Sequence, residues 1–209
     1  MELERRTELF LIDSIFFDTD CISAFLWVKN ESLLETMYSG KIVIPKEVYD
    51  ELNKPSILHL KHRIDQLISR GSAKIMTMDI MTEEYDLYRN LTTISEYNHK
   101  VIGKGEAASI SLAKKYNGIL GSNNLRDIKY YVDKFSLKHI TTGDILVKAY
   151  KDNLITEDQG NIIWSEMLSK RRRIGANSFT EFLNIKKYDK NEVLYIPKEI
   201  EERGISMGK

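Results

Sequence analysis

The sequence predicts an α/β fold, with helices packed on a sheet of parallel strands. Short apolar runs of strand-forming residues alternate with segments of helical periodicity, and this alternation repeats through the first two thirds of the chain. Each apolar run has the length of a strand that is buried on both faces of a parallel sheet. With 209 residues, 42% of them hydrophobic, the chain can form one large core.

The order of the predicted elements indicates one α/β unit followed by helices. The predicted strands are residues 15–17, 41–44, 74–76, 118–120 and 138–140. The predicted helices between them are residues 21–28, 31–38, 46–52, 57–69, 82–97, 106–116 and 124–135. Beyond residue 140 the strands stop, and residues 142–153, 156–170 and 178–186 have helical periodicity. We therefore expect an α/β domain over 1–153 and, over 154–209, a helical extension packed on it with a charged tail.

Composition excludes several classes of protein. The 31 basic and 31 acidic residues give no net charge, so contact with a nucleic acid requires a local basic patch. The single cysteine, Cys21, cannot form an internal disulfide, and the four histidines lack metal-ligand spacing. The apolar stretch over residues 9–17 is interrupted by Asp13, which argues against a signal peptide or membrane span. We expect a cytoplasmic protein without a membrane partner.

The first acidic candidate is Asp18, which directly follows the first predicted strand. Ligands of open parallel sheets bind at the carboxyl ends of the strands, where this carboxylate is expected. Alternatively, Asp18 or Thr19 only caps the helix that follows. Asp20 lies two residues further on, and two carboxylates on one turn are more than a cap needs. This favours a functional role.

Two further acidic candidates lie on predicted helices. Glu51 borders the apolar stripe that Val48 and Leu52 define, although such a glutamate is also typical of a solvated helix face. Glu106 opens a helix after two glycines, which allow a metal ion or phosphate to approach the backbone. The alternative for Glu106 is a favourable interaction with the helix dipole.

The fourth acidic candidate, Asp127, comes shortly after the fourth predicted strand. Ser122, Asn123 and Asn124 precede it and supply short polar side chains. Good turn formers explain the asparagines without explaining the carboxylate. We therefore expect Asp127 to lie at the same edge of the sheet as Asp18.

The first two of these segments resemble motifs of the PIN-domain family, especially of its bacterial toxin-like members. A family pattern similar to DTxxxxxxL is matched by Asp18, Thr19 and the residues through Leu26. A second pattern, similar to PxxVYDEL, is matched by residues 45–52, with Glu51 at its acidic position. Order and spacing together are more specific than either motif alone.

The other two segments extend the resemblance to residues 15–153. A pattern similar to GEAxxxxLA is matched by residues 105–113, with Glu106 as the acid. A pattern similar to TxNxxDF is approached by residues 122–128, where Ser122 replaces threonine and Ile128 replaces phenylalanine. Some relatives carry their fourth acid at the position of Asn123. The asparagine here lacks that carboxylate, which implies weaker metal binding than in those relatives.

The resemblance implies a three-layer α/β/α fold with a central parallel sheet of about five short strands, plus C-terminal helices. It also implies a ribonuclease that hydrolyses phosphodiester bonds in RNA with Mg²⁺ or Mn²⁺, and a small antitoxin protein or a second copy of the chain as partners. Asp18, Glu106 and Asp127 would bind the metal, and Glu51 would bind it or orient water. Four neighbouring carboxylates repel one another, and a hard divalent cation relieves that repulsion.

Other polar and basic residues complete the predicted site. We expect five residues to orient carboxylates or to contact phosphate: Thr19, Ser23, Ser122, Asn123 and Asn124. We expect five basic residues to contribute to RNA binding: Lys104, Arg126, Arg171, Arg172 and Arg173.

Two other functions compete with the ribonuclease. Asp18-Thr19-Asp20 is similar to the first motif of haloacid-dehalogenase-type phosphatases, but their later GDxxxD motif is only begun by Gly143-Asp144 and has Lys148 at its last acidic position. A non-catalytic binding module with the same fold is the second alternative. The asparagine pair after the fourth strand and the lack of a strong basic field motivate it.

Overall fold

The computed structural model describes Leu11, residues 13–93 and residues 101–188. Within these residues five strands alternate with helices, and three more helices follow the last strand. The predicted strands are correct to within one residue at each end. Their observed bounds are β1 (Ile15–Phe17), β2 (Ile42–Pro45), β3 (Ala73–Met76), β4 (Ile119–Gly121) and β5 (Lys138–Ile140).

The described helices are numbered in chain order. The first seven are α1 (Thr19–Trp27), α2 (Glu31–Tyr38), α3 (Lys46–Glu51), α4 (Leu58–Ser69), α5 (Glu83–Thr93), α6 (Lys104–Lys115) and α7 (Leu125–Lys134). The last three are α8 (Thr142–Lys151), α9 (Glu157–Ser169) and α10 (Phe179–Tyr188). The helix predicted at 57–69 begins one residue later, because Ile57 belongs to a separate 3₁₀ turn, Pro55–Ile57. The end of the helix predicted at 82–97 and most of the predicted tail lie outside the described residues.

The five strands form one parallel sheet in the order β3-β2-β1-β4-β5. Strands β2 and β3 lie on one side of the central strand β1, and strands β4 and β5 lie on the other. The strand order therefore reverses between β1 and β4. In open α/β sheets this reversal opens a crevice at the carboxyl ends of the two strands, where ligands bind.

Alternating side chains of the strands enter two separate cores. Ile15 and Phe17 of β1 lie in one core and Phe16 in the other, and all three are fully buried. Helices α1 to α4 and α8 to α10 contribute to the first core, and α5 to α7 contribute to the second. The result is the three-layer α/β/α arrangement with a parallel sheet that the sequence predicted.

Two helices begin two residues earlier than predicted, and in both the cap is the reason. Helix α1 starts at Thr19 because the side chain of Asp18 accepts a hydrogen bond from the backbone N–H of Cys21. Helix α6 starts at Lys104 because the Glu106 carboxylate reaches back to the N–H of Gly103, at 3.3 Å. Asp18 is thus the cap of one helix, and Glu106 lies in the first turn of the other.

The last helices pack closely on the rest of the molecule. A Cβ atom added to Gly160 of α9 would lie 2.3 Å from the Phe179 ring, and one added to Gly143 of α8 would lie 2.5 Å from the Phe182 ring. Both rings belong to the same core as Ile15 of the central strand. Glycine at these two positions therefore allows α10 to approach α8 and α9 closely.

None of the helices in the described ranges has both the length and the apolar character needed to span a bilayer.

Candidate functional site

Asp18 lies at the carboxyl end of β1 and is fully buried. Its backbone N–H donates to the Gly121 carbonyl at the end of β4, at 2.8 Å. One carboxylate oxygen, Oδ1, accepts from the Cys21 N–H at 2.7 Å and so caps α1. The other, Oδ2, has no hydrogen-bond partner among the described residues. Capping α1 therefore uses only one of the two carboxylate oxygens.

Burial makes the ionised form of Asp18 unfavourable. The pKa of the carboxyl group rises from 3.8 to about 7. Burial is the main cause, and the negative charges of Glu106 and Asp20 make smaller contributions to the same rise. The Cys21 N–H and the nearby Ser122 hydroxyl oppose the rise, although the hydroxyl does not reach hydrogen-bonding geometry. A cation beside Oδ2 would reverse the effect, because it would stabilise the carboxylate directly.

Glu106 and Asp127 share one hydrogen-bond donor. The side-chain nitrogen Nδ2 of Asn124 donates to Glu106 Oε1 at 2.7 Å and to Asp127 Oδ2 at 2.8 Å. Burial raises the pKa of Glu106, and the negative charge of Asp127 contributes to the rise. The partly positive amide group of Asn124 therefore lies between two carboxylates that would otherwise repel each other.

Asp20 extends the acidic cluster toward solvent. Its charge raises the pKa values of both Asp18 and Glu106, so it lies within electrostatic range of both. Its side chain is 45% exposed and forms an ion pair with Arg172, with 3.3 Å between Oδ1 and Nη1. The structure thus brings Asp18, Asp20, Glu106 and Asp127 into one electrostatically coupled group.

Glu51 joins two segments of the site. Its Oε2 accepts from the Thr19 hydroxyl and its Oε1 accepts from the backbone N–H of Gly105, at 3.0 Å. Thr19 follows Asp18, and Gly105 precedes Glu106. A Cβ atom on Gly105 would lie 2.7 Å from the Thr19 hydroxyl and 3.1 Å from the carboxylate. Glycine is therefore needed where α6 begins, because any side chain there would displace Glu51 or Thr19.

The remaining predicted polar residues lie around this group. The Ser122 hydroxyl accepts from the Asn124 N–H at 3.3 Å, and Ser23 Oγ donates to the Asp20 carbonyl at 3.3 Å. Asn123 differs from the others because both ends of its side-chain amide bond Thr142, at 2.8 Å each. The structure therefore directs Asn123 toward the start of α8 and Asn124 toward the carboxylates.

The predicted basic residues fall into two groups. Lys104, Arg126, Arg171 and Arg173 are exposed, and Arg126 contacts Asp127 through Nε at 3.3 Å. Arg172 is half-buried and contacts Asp20 and Ser23. The sequence places Arg172 in a basic run but gives no sign of this contact, because 152 residues separate it from Asp20.

Within the described residues, no group of three or more His, Cys, Asp or Glu side chains is arranged to hold a metal ion. Two of the carboxylates are engaged with Asn124, and Glu51 is engaged with Thr19 and Gly105. The chemistry of the donors nevertheless fits a hard divalent cation, because all are oxygens and one is a buried oxygen without a partner. Binding would require Glu106 and Asp127 to exchange the Asn124 amide for the ion.

Comparison with known proteins agrees with this architecture. A family model described as "PIN domain" matches residues 14–187, well over half of the chain and all four predicted acids. No curated protein matches the sequence. PIN domains are generally nucleases and typically use divalent metals. The chain belongs to the PIN-domain family.

Proposed function

We propose that this protein is a metal-dependent endoribonuclease in which Asp18, Glu106 and Asp127 bind Mg²⁺ or Mn²⁺ beside a phosphodiester of RNA. The unpaired, fully buried Oδ2 of Asp18 is the observation that carries the proposal. A carboxylate placed in this way destabilises the fold when it is ionised. The cap of α1 uses only Oδ1 and leaves Oδ2 without a role, whereas a cation ligand needs such an oxygen.

The rest of the chain would serve this reaction by holding the carboxylates in place. Glu51 fixes the start of α1 against the start of α6 through Thr19 and Gly105. Asn124 holds Glu106 and Asp127 close together, because its side-chain nitrogen donates to one carboxylate oxygen of each. When bound, a divalent ion supplies an activated water and neutralises charge on the phosphate.

RNA as the substrate is supported by the family and by exposed cations near the acids. Lys104 is the first residue of α6, two positions before Glu106, and Arg126 adjoins Asp127. The resemblance to toxin-like members motivates a small antitoxin protein as a partner. The single cysteine motivates a cytoplasmic location, which is a reducing compartment.

A non-catalytic binding module remains the second candidate. It is favoured by the absence, among the described residues, of an acidic group ready to hold a metal. The phosphatase alternative has less support, because Asp144 has a structural role here. Its Oδ2 accepts from the Thr141 N–H at 2.9 Å to cap α8, and its Oδ1 pairs with Lys186 at 2.7 Å.

Cleavage assays separate these functions. We expect the wild type to cut labelled RNA in Mg²⁺ or Mn²⁺ and to be inactive in EDTA. Asp18→Asn should reduce the rate by about a hundredfold or more, because an electrostatic element of the site is lost. Asp50→Asn is the matched control, since Asp50 is exposed and paired with Lys46. Its rate should stay within about twofold of the wild type.

Three outcomes would contradict the proposal. RNA cleavage that persists in EDTA would exclude the metal, and an unchanged rate in Asp18→Asn would remove Asp18 from the site. Rapid hydrolysis of a small aryl phosphate by a protein that leaves RNA intact would favour the phosphatase.

A further inference from the structure

We propose that Arg172, which follows α9, binds a backbone phosphate of the RNA beside the acidic cluster. This inference rests on the proposed function and deepens it, because it assigns a substrate contact to the C-terminal helical region. It also distinguishes Arg172 from Arg171 and Arg173, its neighbours in the basic run.

The backbone of Arg172 is fixed by the way in which α9 ends. Arg171 has a left-handed backbone conformation, with φ of 58°. Its N–H donates to the Leu168 carbonyl at 2.8 Å, and the Arg172 N–H donates to the Met167 carbonyl at 3.0 Å. These two bonds form a Schellman motif, which closes the end of a helix. Buried side chains at Met167 and Ile174 anchor the segment on both sides.

The side chain of Arg172 is directed toward the start of α1. Its Nε donates to the Lys170 carbonyl at 3.1 Å, and its Nη1 donates to Asp20 Oδ1 at 3.3 Å and to Ser23 Oγ at 3.5 Å. The contacts to Asp20 and Ser23 are long for hydrogen bonds of a charged group. The second terminal nitrogen, Nη2, makes no hydrogen bond within the described part of the chain. The guanidinium group is thus oriented but still has donors to offer.

The surroundings of Arg172 favour a phosphate as its ligand. Its partner Asp20 lies within electrostatic range of Asp18 and Glu106, so the guanidinium group is at the edge of the acidic cluster. Carboxylates repel an RNA backbone, and a cation at their edge offsets that repulsion. Guanidinium groups match phosphate oxygens with paired N–H donors. Arg172 remains 24% exposed, so a ligand can reach it.

The competing explanation is that Arg172 only ties the end of α9 to α1. A half-exposed ion pair with these distances contributes little to stability. A purely structural role therefore predicts at most a small change in melting temperature and no change in the RNA affinity of the folded protein. A phosphate contact predicts a loss of RNA affinity in a protein that is still folded.

The experiment measures binding of a fluorescent single-stranded RNA by anisotropy across a salt series. All variants are made in the Asp18→Asn background so that the RNA stays intact. Arg172→Gln should weaken binding about tenfold and lower the salt slope by about 0.7, the loss expected for one phosphate contact. Arg171→Gln and Arg173→Gln remove the same charge from exposed positions, so each should weaken binding by about threefold at most, well below the effect of Arg172→Gln. Arg172→Lys should restore part of the affinity, because the charge returns without the paired donors.

Equal effects of all three glutamine variants would overturn the inference, because they would show a general effect of charge. A folded Arg172→Gln variant with unchanged RNA affinity would overturn it too. These outcomes are separate from failure of the proposed function. A wild-type protein that cuts no RNA in either metal would overturn the ribonuclease alone, because the anisotropy series still measures the phosphate contact. Cleavage by the wild type, together with unchanged RNA affinity of Arg172→Gln, would overturn the inference alone.

Discussion

Asp18→Asn should stabilise the metal-free protein at high pH, although the same substitution should greatly reduce RNA cleavage. The folded protein holds a proton on Asp18 up to about pH 7, whereas the unfolded chain releases it near pH 3.8. Between these values the unfolded state binds fewer protons, so the free energy of unfolding falls as pH rises. Asparagine is neutral throughout and removes this dependence.

The size of the effect follows from the shift in pKa. A rise from 3.8 to about 7 corresponds to about 4 kcal/mol of lost stability at pH 8, since one pKa unit is worth about 1.4 kcal/mol. Asparagine keeps an oxygen for the Cys21 N–H but adds a buried amide donor without a partner. Such a donor costs about 1–3 kcal/mol. The net gain for Asp18→Asn at pH 8 is therefore about 1–3 kcal/mol.

Urea unfolding in EDTA at pH 5 and pH 8 measures this gain. The wild type should lose stability between the two values, and Asp18→Asn should lose less and exceed the wild type at pH 8. Adding Mn²⁺ at pH 8 should raise the stability of the wild type alone. A wild type that is equally stable at both pH values, with no gain from asparagine, would refute the assignment of a buried and strained carboxylate to Asp18.

Two further substitutions test the contacts around the carboxylates. Gly105→Ala should reduce RNA cleavage at least tenfold and the free energy of unfolding by about 1–3 kcal/mol, because the added Cβ displaces Thr19 and Glu51. Cleavage and urea unfolding at wild-type levels would show that the contact between Thr19 and Glu51 is dispensable. Asn124→Ala should lower metal-free stability by about 1–3 kcal/mol, because two carboxylates lose their shared donor. Its cleavage rate should fall less than that of Asp18→Asn, and an equal or larger fall would mean that the amide takes part in the reaction itself.

The sequence predicts the strands and helices of this fold well. Strands β1 and β5 are predicted with their observed ends. A short apolar run is typical of a buried parallel strand and describes β1, whereas β5 lies at the edge of the sheet, contains Lys138 and His139 and is only partly buried. The position of Asp18 follows from the same regularity, since a residue just after a parallel strand lies at the carboxyl edge of the sheet, whereas Glu51 and Glu106 lie on helices. Helix starts are less accurate, because Asp18 and Gly103 act as caps through contacts that periodicity does not reveal.

The contacts that define the site depend on distant parts of the chain. Glu51 meets Gly105 across 54 residues, and Asn124 reaches Glu106 across 18. Local patterns show that these residues are polar and near helix ends, but not which partner each one has. The two adjacent asparagines illustrate the difficulty, because Asn123 bonds α8 while its neighbour bonds the acids.

Binding of Mn²⁺ measured by calorimetry tests the central claim most directly. The wild type should bind at least one ion with a dissociation constant in the millimolar range or below, and Asp18→Asn and Glu106→Gln should each weaken that binding by at least tenfold. Asp50→Asn should bind as the wild type does. A wild type that binds no Mn²⁺, or that binds it equally well without the Asp18 carboxylate, would contradict the account.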